Sequence, residues 1–269
     1  LRFVPLLDNF KESVSYQKGY ICGSTLGDGT MRFEKEWQKL AHRAVKQRYW
    51  RIAVHSSQNE FLERVKRYIH NLTGYNLSIM AFDCGTDSDM IQIATRKTEL
   101  LFKIYEIINE SKEDIEFKRG WLSGMFDAEG NYSKYKTKNS MKVNALRIAQ
   151  VNVSVLKKGI IYAKDLGFKF VLENTRHVGT MRIIGGAKAS AAFLSVIKPS
   201  ISNKINTIFG SFIYNKIDNV ISLKKIGIVD LIDIQTSTGT FIANGLMTHN
   251  CYAEALSKRF DNGKSLWGN

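Results

Sequence analysis

The sequence predicts an α+β protein built from two copies of one unit, followed by a small β segment. Two glycine-striped stretches, GYICGSTLGDG at 19–29 and GWLSGMFDAEG at 120–130, stand 101 residues apart. After each stretch the chain reads as an alternating strand, a polar turn and an amphipathic helix, and then again as strand, basic turn and helix. Each copy is therefore predicted to form helix, two strands, helix, two strands and helix, or αββαββα.

The order of elements is kept between the copies while the loops differ in length. Residues 50–69 resemble residues 146–165 at an offset of 96, and residues 90–108 resemble residues 181–199 at an offset of 91. The segment QKLAHRAVKQ at 38–47 is compatible with either strand or helix. From residue 226 the pattern changes to apolar alternation with an Asn-Gly turn signal at 244–245, which predicts short β-strands.

Composition favours an intracellular protein that binds a polyanion. The 269 residues carry a net charge of +14 and an apolar fraction of 44%, which suits a globular protein that binds nucleic acid. No apolar run is long enough to cross a membrane. Three widely spaced cysteines argue against a disulfide framework and for a reducing, cytoplasmic compartment, such as that of a prokaryotic or phage-infected cell.

The glycine stripes predict two helices packed side by side. Glycines four residues apart lie on one helix face and let a second backbone approach closely, with Gly29 and Gly130 as C-terminal caps. Asp28 and Glu129 then meet at two helix ends, where dipoles and mutual repulsion disfavour two ionised carboxylates. A Mg²⁺ ion held by both acids and by the carbonyls of Gly27 and Ala128 relieves that repulsion. The alternative is that the glycines only pack and the acids only face solvent.

These two stretches resemble the signature motif of LAGLIDADG homing endonucleases in their two-copy, single-chain form. WLSGMFDAEG is a close match, whereas YICGSTLGDG has Leu26 where the motif has its first acid and Ser24-Thr25 where it has apolar residues. The resemblance covers residues 18 to about 215. It implies a pseudo-twofold pair of αββαββα repeats whose sheets form a saddle over a long DNA site. It also implies a monomer that cuts both DNA strands with Mg²⁺, leaving short 3′ overhangs.

The resemblance also implies basic and polar residues around the metals. Lys97 and Lys188, each after the fourth strand of a copy, are the candidates, together with Gln150 at the end of a second strand. Ordinary solvated or DNA-facing roles for these three are the alternative. The expected DNA contacts are the basic residues of the run 132–147 and one arginine of the first copy, namely Lys134, Lys136, Lys138, Lys142, Arg147 and Arg51.

The segment DIQTSTGTFIANGLMTHNC resembles the C-terminal splicing blocks of inteins. The resemblance implies that His249 assists peptide cleavage, that Asn250 cyclises and that Cys251 is the first residue of the downstream host protein. Gly239 stands where the block often has histidine. The chain starts LRFVPLL, without the N-terminal block, so we expect no splicing unless an N-terminal intein fragment is supplied.

The sequence thus predicts an Mg²⁺-dependent endodeoxyribonuclease derived from an intein. The alternatives are an RNA maturase or DNA-binding relic on the same fold, and a protein-splicing element with a passive central cargo domain. The predicted domains are a lead-in segment (1–17), repeat 1 (18–110), repeat 2 (111–217), a C-terminal splicing segment (218–250) and downstream host residues (251–269).

Overall fold

The computed structural model describes residues 2–3, 11–32, 37–40, 43–46, 48–83, 85, 89–136, 142–174, 178–209, 240–243 and 246–249. The chain divides into two compact units, one of residues 8–212 and one that combines residues 1–7 with 213–269. The larger unit contains the helices and both four-stranded sheets described below. The predicted domain boundaries stay predictions.

Seven α-helices lie in the described ranges, and a short 3-10 turn at Ser56–Gln58 precedes the second of them. The helices are α1 (Val14–Asp28), α2 (Asn59–Thr73), α3 (Thr98–Asn109), α4 (Ile115–Glu129), α5 (Val153–Asp165), α6 (Gly186–Ile197) and α7 (Ser202–Phe209).

The strands number thirteen within the same ranges. They are β1 (Arg2–Phe3), β2 (Gly29–Arg32), β3 (Trp37–Leu40), β4 (Arg43–Lys46), β5 (Tyr49–His55), β6 (Ile79–Ala81), β7 (Met90–Thr95), β8 (Gly130–Lys136), β9 (Lys142–Gln150), β10 (Phe170–Asn174), β11 (Gly179–Ile183), β12 (Thr240–Ala243) and β13 (Leu246–His249).

The two repeats have the same sheet topology. Repeat 1 has an antiparallel sheet of order β2-β5-β7-β6, and repeat 2 has the equivalent order β8-β9-β11-β10. With the helices between them, the strands of both four-stranded sheets give the order αββαββα, and repeat 1 carries the separate β3–β4 pair between β2 and β5. The predicted α+β fold class is therefore confirmed. Inside the ambiguous stretch 38–47, β3 and β4 pair as an antiparallel ladder, so the helical alternative there is wrong.

Strand register corrects one alignment between the repeats. Gly29 pairs with Ile52 and Gly130 with Ile148, which agrees with the offset of 96 for the second strands. In the next ladder Ile52 pairs with Ile93 and Ile148 with Met181, an offset of 88 instead of 91. Lys97 is therefore equivalent to Gly185, not to Lys188. The sequence match was misleading because basic and small residues recur in both turns.

Helices α1 and α4 pack against each other in parallel, as the glycine stripes predict. A Cβ atom added at Gly19 would lie 2.0 Å from the carbonyl oxygen of Phe117, and one at Gly23 would lie 2.1 Å from that of Trp121. The reciprocal contacts of Gly120 and Gly124 reach the backbone of α1. Because any side chain would collide with backbone, the stripe lets the two helices touch directly. Both C-terminal ends therefore lie at the same end of the pair.

Capping side chains also tie the starts of the two helices together. Ser13 Oγ accepts a hydrogen bond from the amide of Tyr16, and Asp114 Oδ1 accepts one from the amide of Phe117. Such N-caps satisfy amides that lack helical partners. Ser15 Oγ donates to Asp114 Oδ1 at 2.6 Å, so the cap of α4 also holds α1.

Gly29 and Gly130 are the C-caps of α1 and α4, as the sequence predicts. Both have an extended backbone, with φ −93° and −81°, and not the left-handed conformation that is common at helix ends. A Cβ at Gly29 would lie 2.5 Å from the carbonyl oxygen of Thr25, and one at Gly130 would lie 2.2 Å from the Phe126 ring. Glycine is thus needed because the chain turns tightly from helix into strand.

The smaller unit contains a three-stranded sheet of order β1-β13-β12. Ala243 pairs with Leu246 across residues 244–245, so β12 and β13 form an antiparallel pair, and Arg2 and Phe3 of β1 pair with Met247 and Leu246. The short strands predicted after residue 226 are therefore present at 240–249.

Candidate functional site

Asp28 and Glu129 are the last residues of α1 and α4, and the helix packing brings these ends together. A Cβ atom added at Gly27 would lie 2.3 Å from Ala128 Cβ and 3.4 Å from Glu129 Cγ. Both acids are half-buried. The helix contact thus produces the paired carboxylates that the sequence predicts, one from each repeat.

Burial raises the pKa of both acids, and the Asp28 charge adds to the rise at Glu129. Burial raises the pKa of Asp28 above its usual value, and the nearby Lys204 ammonium opposes this shift. Burial also raises the pKa of Glu129, the Asp28 charge raises it further, and Lys204 again opposes. Desolvation and a like charge both disfavour the ionised form. The pair therefore favours a cation when both acids are ionised.

Gln150, at the end of β9, bridges the two repeats at this position. Its Nε2 donates to the carbonyl oxygen of Leu26 at 3.1 Å and to Glu129 Oε1 at 3.3 Å. Strand register makes Val54 its counterpart in repeat 1, and Val54 is buried. Repeat 1 consequently lacks the amide that repeat 2 supplies.

Lys204 on α7 is a residue of this site that sequence reasoning missed. Its Nζ donates to three consecutive carbonyl oxygens at the end of α4, those of Phe126 (3.3 Å), Asp127 (2.5 Å) and Ala128 (3.2 Å). A cation at a helix C-terminus is favourable because the unpaired carbonyls carry partial negative charge. Nothing in the motif points to this lysine, which lies 75 residues beyond Glu129.

Asp127, the first acid of the second motif, accepts several hydrogen bonds within the fold. It is fully buried and accepts hydrogen bonds from the amides of Ser200 and Ile201, from Ser200 Oγ and from the Tyr20 hydroxyl. It thereby holds the segment between α6 and α7 against the helix pair. Leu26, at the same motif position in repeat 1, is exposed.

The face of the repeat 1 sheet that points away from the helices is basic and aromatic. Arg32, Arg51 and Arg96 line an open groove of about 570 Å³ together with Tyr49 and Phe82. The Arg51 guanidinium carbon lies 4.7 Å from the Phe82 ring centroid and 5.6 Å from that of Tyr49. Stacking of this kind fixes the planar group in place. Arg51 was predicted as a binding residue, whereas Arg32 and Arg96 were not.

The equivalent face of repeat 2 is partly neutralised by an acid. Glu173 on β10 accepts from Arg147 Nε at 3.3 Å and from Arg182 Nε at 2.5 Å. Register makes Arg147 the counterpart of Arg51. The two sheet faces therefore present arginines in different electrostatic settings.

The remaining predicted residues lie elsewhere. Lys97 precedes α3, and its Nζ lies 4.4 Å from the Tyr75 ring centroid. Lys188 lies in the first turn of α6.

Several predicted residues have no described side chain. Lys134, Lys136 and Lys142 belong to β8 and β9, where only the backbone is described, and Lys138 falls outside the described residues. His249 ends β13 with only its backbone described, and Asn250 and Cys251 also fall outside.

The donor groups at the acid pair fit a hard divalent cation that keeps several waters. Among the described residues no three His, Cys, Asp or Glu side chains come close enough to hold a metal. Two carboxylates and the helix-end carbonyls offer only oxygen to a cation, which Mg²⁺ prefers. Gln150 takes part as a donor to Glu129, since its Oε1 accepts from the Val151 amide. The residues therefore fit the ion, since two half-buried carboxylates at two helix C-terminal ends favour a counter-cation when they are ionised.

Solved structures place this architecture in the LAGLIDADG fold. Mesophilic variants of the homing endonuclease I-DmoI match with a TM-score of 0.50 and 18% identity over 68% of this chain and 96% of theirs. A single-substitution variant of I-DmoI, solved with its target DNA in the presence of Mg, matches with a TM-score of 0.50 and 16% identity over 71% of this chain and 99% of its own.

A second class of protein shares the fold. Full-length DUF199/WhiA from Thermatoga maritima matches with a TM-score of 0.51 and 16% identity over 80% of this chain and 66% of its own. No family model and no curated protein matches the sequence. Within the part of the chain that the structure describes, no helix has the length and apolarity needed to cross a bilayer.

Proposed function

We propose that the protein is a site-specific, Mg²⁺-dependent endonuclease that cuts both strands of a long, asymmetric DNA target. The observation that carries this proposal is the pair Asp28 and Glu129, brought together at the C-terminal ends of α1 and α4 with raised pKa values. Two carboxylates from two repeats at one junction suit a reaction on two strands. Because both motifs lie in one chain, the proposed enzyme works as a monomer.

The sheet faces are the proposed DNA-binding surfaces. The net charge of +14 favours a polyanion, and arginines on an open sheet face reach both phosphates and base edges. Arg51 and Arg147 are the proposed equivalent contacts of the two repeats. The lysines of the run 132–147 are proposed as further contacts on sequence grounds: Lys134, Lys136, Lys138 and Lys142.

The chemistry is assigned to groups around the helix ends. Asp28 and Glu129 would hold Mg²⁺ with help from the carbonyls of Gly27 and Ala128, and the bound ion supplies charge neutralisation and activation of water. Gln150 orients Glu129 through its hydrogen bond. Lys97 and Lys188 are proposed on the resemblance alone to stabilise phosphate charge.

An intein origin is proposed from the sequence of the C-terminal segment. In that proposal the side-chain amide nitrogen of Asn250 attacks its own backbone carbonyl carbon, so that a succinimide forms as the Asn250–Cys251 peptide bond breaks. His249 assists the departure of the peptide nitrogen, which becomes the amino group of Cys251, the first residue of the host protein. The partner is an N-terminal intein fragment, and the setting is a reducing, intracellular one. The test is to add a synthetic N-terminal splicing segment and look for ligated flanking sequences by mass spectrometry, with Asn250→Ala as the control that must abolish ligation.

A DNA-binding relic is the second candidate function. The observations that favour it are confined to repeat 1, where Leu26 and Val54 replace the acid and the amide found in repeat 2. A relic would retain the basic sheet face of Arg32, Arg51 and Arg96 without cutting DNA. A passive cargo domain would show neither property.

The deciding experiment selects a target and then asks whether it is cut. Duplexes from a randomised library are captured in Ca²⁺, amplified and sequenced, and the enriched site is then incubated in Mg²⁺. We expect a double-strand cut in Mg²⁺ only. Enrichment without any cut in Mg²⁺ or Mn²⁺ establishes the relic. Failure to enrich any duplex contradicts both DNA functions and leaves the passive cargo domain or the RNA maturase.

A further inference from the structure

The Lys204 ammonium is a charged group beside the two acids that has no role in the proposed reaction. Its Nζ donates to the carbonyl oxygens of Phe126, Asp127 and Ala128, so it occupies the end of α4 directly beside Glu129. The Ala128 carbonyl is one of the oxygens expected to bind Mg²⁺. The Lys204 ammonium and a divalent cation would thus compete for the same oxygen atoms at the end of α4.

Neighbouring contacts fix the position of this lysine. The amide of Ser202, the first residue of α7, donates to Glu60 Oε2 at 2.6 Å, and its Oγ donates to Glu60 Oε1 at 2.8 Å. Two residues earlier, Ser200 is bound by the buried Asp127 carboxylate through its amide and hydroxyl. The start of α7 is therefore attached to both repeats, and Lys204 follows one half-turn later.

The charges around Lys204 belong to the same cluster. Burial lowers the pKa of Lys204, whereas Asp127, Asp28 and Glu129 raise it. Lys204 in turn opposes the rise in the pKa of Asp28 and of Glu129. One ammonium therefore interacts with both motif acids.

The described hydrogen bonds of Lys204 go to the carbonyls of one helix end, that of α4. The carbonyl oxygen of Leu26, near the end of α1, accepts from the neutral Gln150 amide, whereas α4 ends on the ammonium. Both groups come from repeat 2. The cation is therefore a feature of one helix end and not a property of the repeated motif.

We propose that Lys204 is a tethered counter-cation of the acid pair, a positioning residue that stabilises the metal-free site and weakens divalent-cation binding by occupying its place. This inference rests on the proposed metal site at Asp28 and Glu129. Loading with a divalent cation requires the ammonium to withdraw from the Ala128 carbonyl or to remain as a repelling charge. In either case α7 sets the metal affinity.

The test is a Mn²⁺ titration of the full chain without DNA, with free Mn²⁺ measured by electron paramagnetic resonance. Lys204→Gln keeps an amide donor for the carbonyls but removes the charge, and Lys204→Arg keeps the charge. We expect Lys204→Gln to bind Mn²⁺ on the order of tenfold more tightly, the size expected when one partly screened charge is removed. Lys204→Arg should bind like the unaltered protein, as should Lys157→Met, an exposed lysine of α5.

The outcomes separate this inference from the proposed function. Equal or weaker Mn²⁺ binding by Lys204→Gln overturns the counter-cation role and leaves Lys204 as a simple helix cap. The combined Asp28→Asn and Glu129→Gln variant must lose Mn²⁺ binding if the acids form the metal site. Should that variant bind Mn²⁺ normally, the metal assignment itself fails. Thermal unfolding in EDTA confirms that each variant is folded, and the Mn²⁺-induced rise in melting temperature gives a second measure of affinity.

Discussion

At the scale of single residues, the two motif acids are held in a setting that favours their neutral form. Desolvation raises the pKa of Asp28 and of Glu129, and the Asp28 charge raises that of Glu129 further. A raised pKa in the folded state means that the protonated acid stabilises the fold. In the metal-free protein at neutral pH, the ionised acids therefore lower the free energy of unfolding, and a bound cation removes this effect.

We therefore expect that replacing both acids by their amides changes the melting temperature by an amount that depends on pH. The stabilisation from protonation is fully present below the unfolded-state pKa values near 3.8 and 4.5 and is lost as pH rises through the raised folded-state values. In EDTA, Asp28→Asn with Glu129→Gln should thus raise the melting temperature at pH 7.5. A gain of about 1 kcal/mol corresponds to roughly 2–4 °C. The difference should shrink toward pH 4, and a constant difference at all pH values would contradict the account.

Substitutions of Asp127 and Leu26, at the same motif position in the two repeats, are expected to change stability by different amounts. Asp127→Ala removes a buried acceptor of several hydrogen bonds and leaves the Ser200 and Ile201 amides unpaired. Loss of such a network costs about 2–4 kcal/mol, measured by urea unfolding. Leu26→Ala, on an exposed side chain, is the matched control and should change stability by less than about 1 kcal/mol. Equal effects would show that the asymmetry of the motifs has no structural meaning.

At the scale of elements, the α1–α4 contact determines the site, because it brings together the helix ends that carry the two acids. Backbone atoms of the two helices meet at four glycines with no room for a methyl group. The close approach, and not the helix propensity, explains why residues that weaken helices are used here.

Gly23 and Gly74 provide a matched test of this contact. Gly23→Ala places a methyl group against the Trp121 carbonyl and should cost about 3 kcal/mol or more, or prevent folding. Gly74 has φ +77° with open space around it, so Gly74→Ala should cost only about 1 kcal/mol of backbone strain. Circular dichroism during urea unfolding measures both. A small effect at Gly23 would mean that the helices can separate without loss.

Sequence reasoning succeeded where the periodicity was strong and failed where equivalence depended on pairing. The glycine stripes and alternating strands define the helix pair and both sheets because side-chain size and burial act locally. The offset of the third segment was wrong, since only the ladders of β5–β7 and β9–β11 fix which residues correspond. Lys204 on α7, and the Asp127 partners Ser200 and Ile201 just before it, could not be predicted because they follow the last helix of the repeated pattern.

At the scale of the whole molecule, the positive charge is not shared equally by the two sheet faces. Arg32, Arg51 and Arg96 line the groove of repeat 1, whereas Arg147 and Arg182 of repeat 2 are paired with Glu173. Ion pairs must be broken or rearranged before those arginines can bind phosphate. The described part of repeat 1 therefore offers the more readily available arginines.

This difference predicts the salt dependence of DNA binding. Replacing Arg32, Arg51 and Arg96 by alanine should weaken binding to the selected duplex in Ca²⁺ and reduce the slope of log K against log salt by about 0.9 for each phosphate that is no longer neutralised. Fluorescence anisotropy over a salt range of roughly 50 to 300 mM measures both quantities. Lys157→Met is the control. An unchanged slope would exclude the repeat 1 face from phosphate binding.

Strand-resolved cleavage by the two acid variants tests the central claim most directly. The selected duplex carries a different label on each strand, and single-turnover rates are measured in Mg²⁺ for the unaltered protein, Asp28→Asn and Glu129→Gln. Binding in Ca²⁺ verifies that each variant still recognises the site. The account predicts that the unaltered protein cuts both strands and that each substitution slows cleavage by on the order of 10²-fold or more while binding persists. Cleavage of both strands at the unaltered rate by either variant would contradict the paired-acid site.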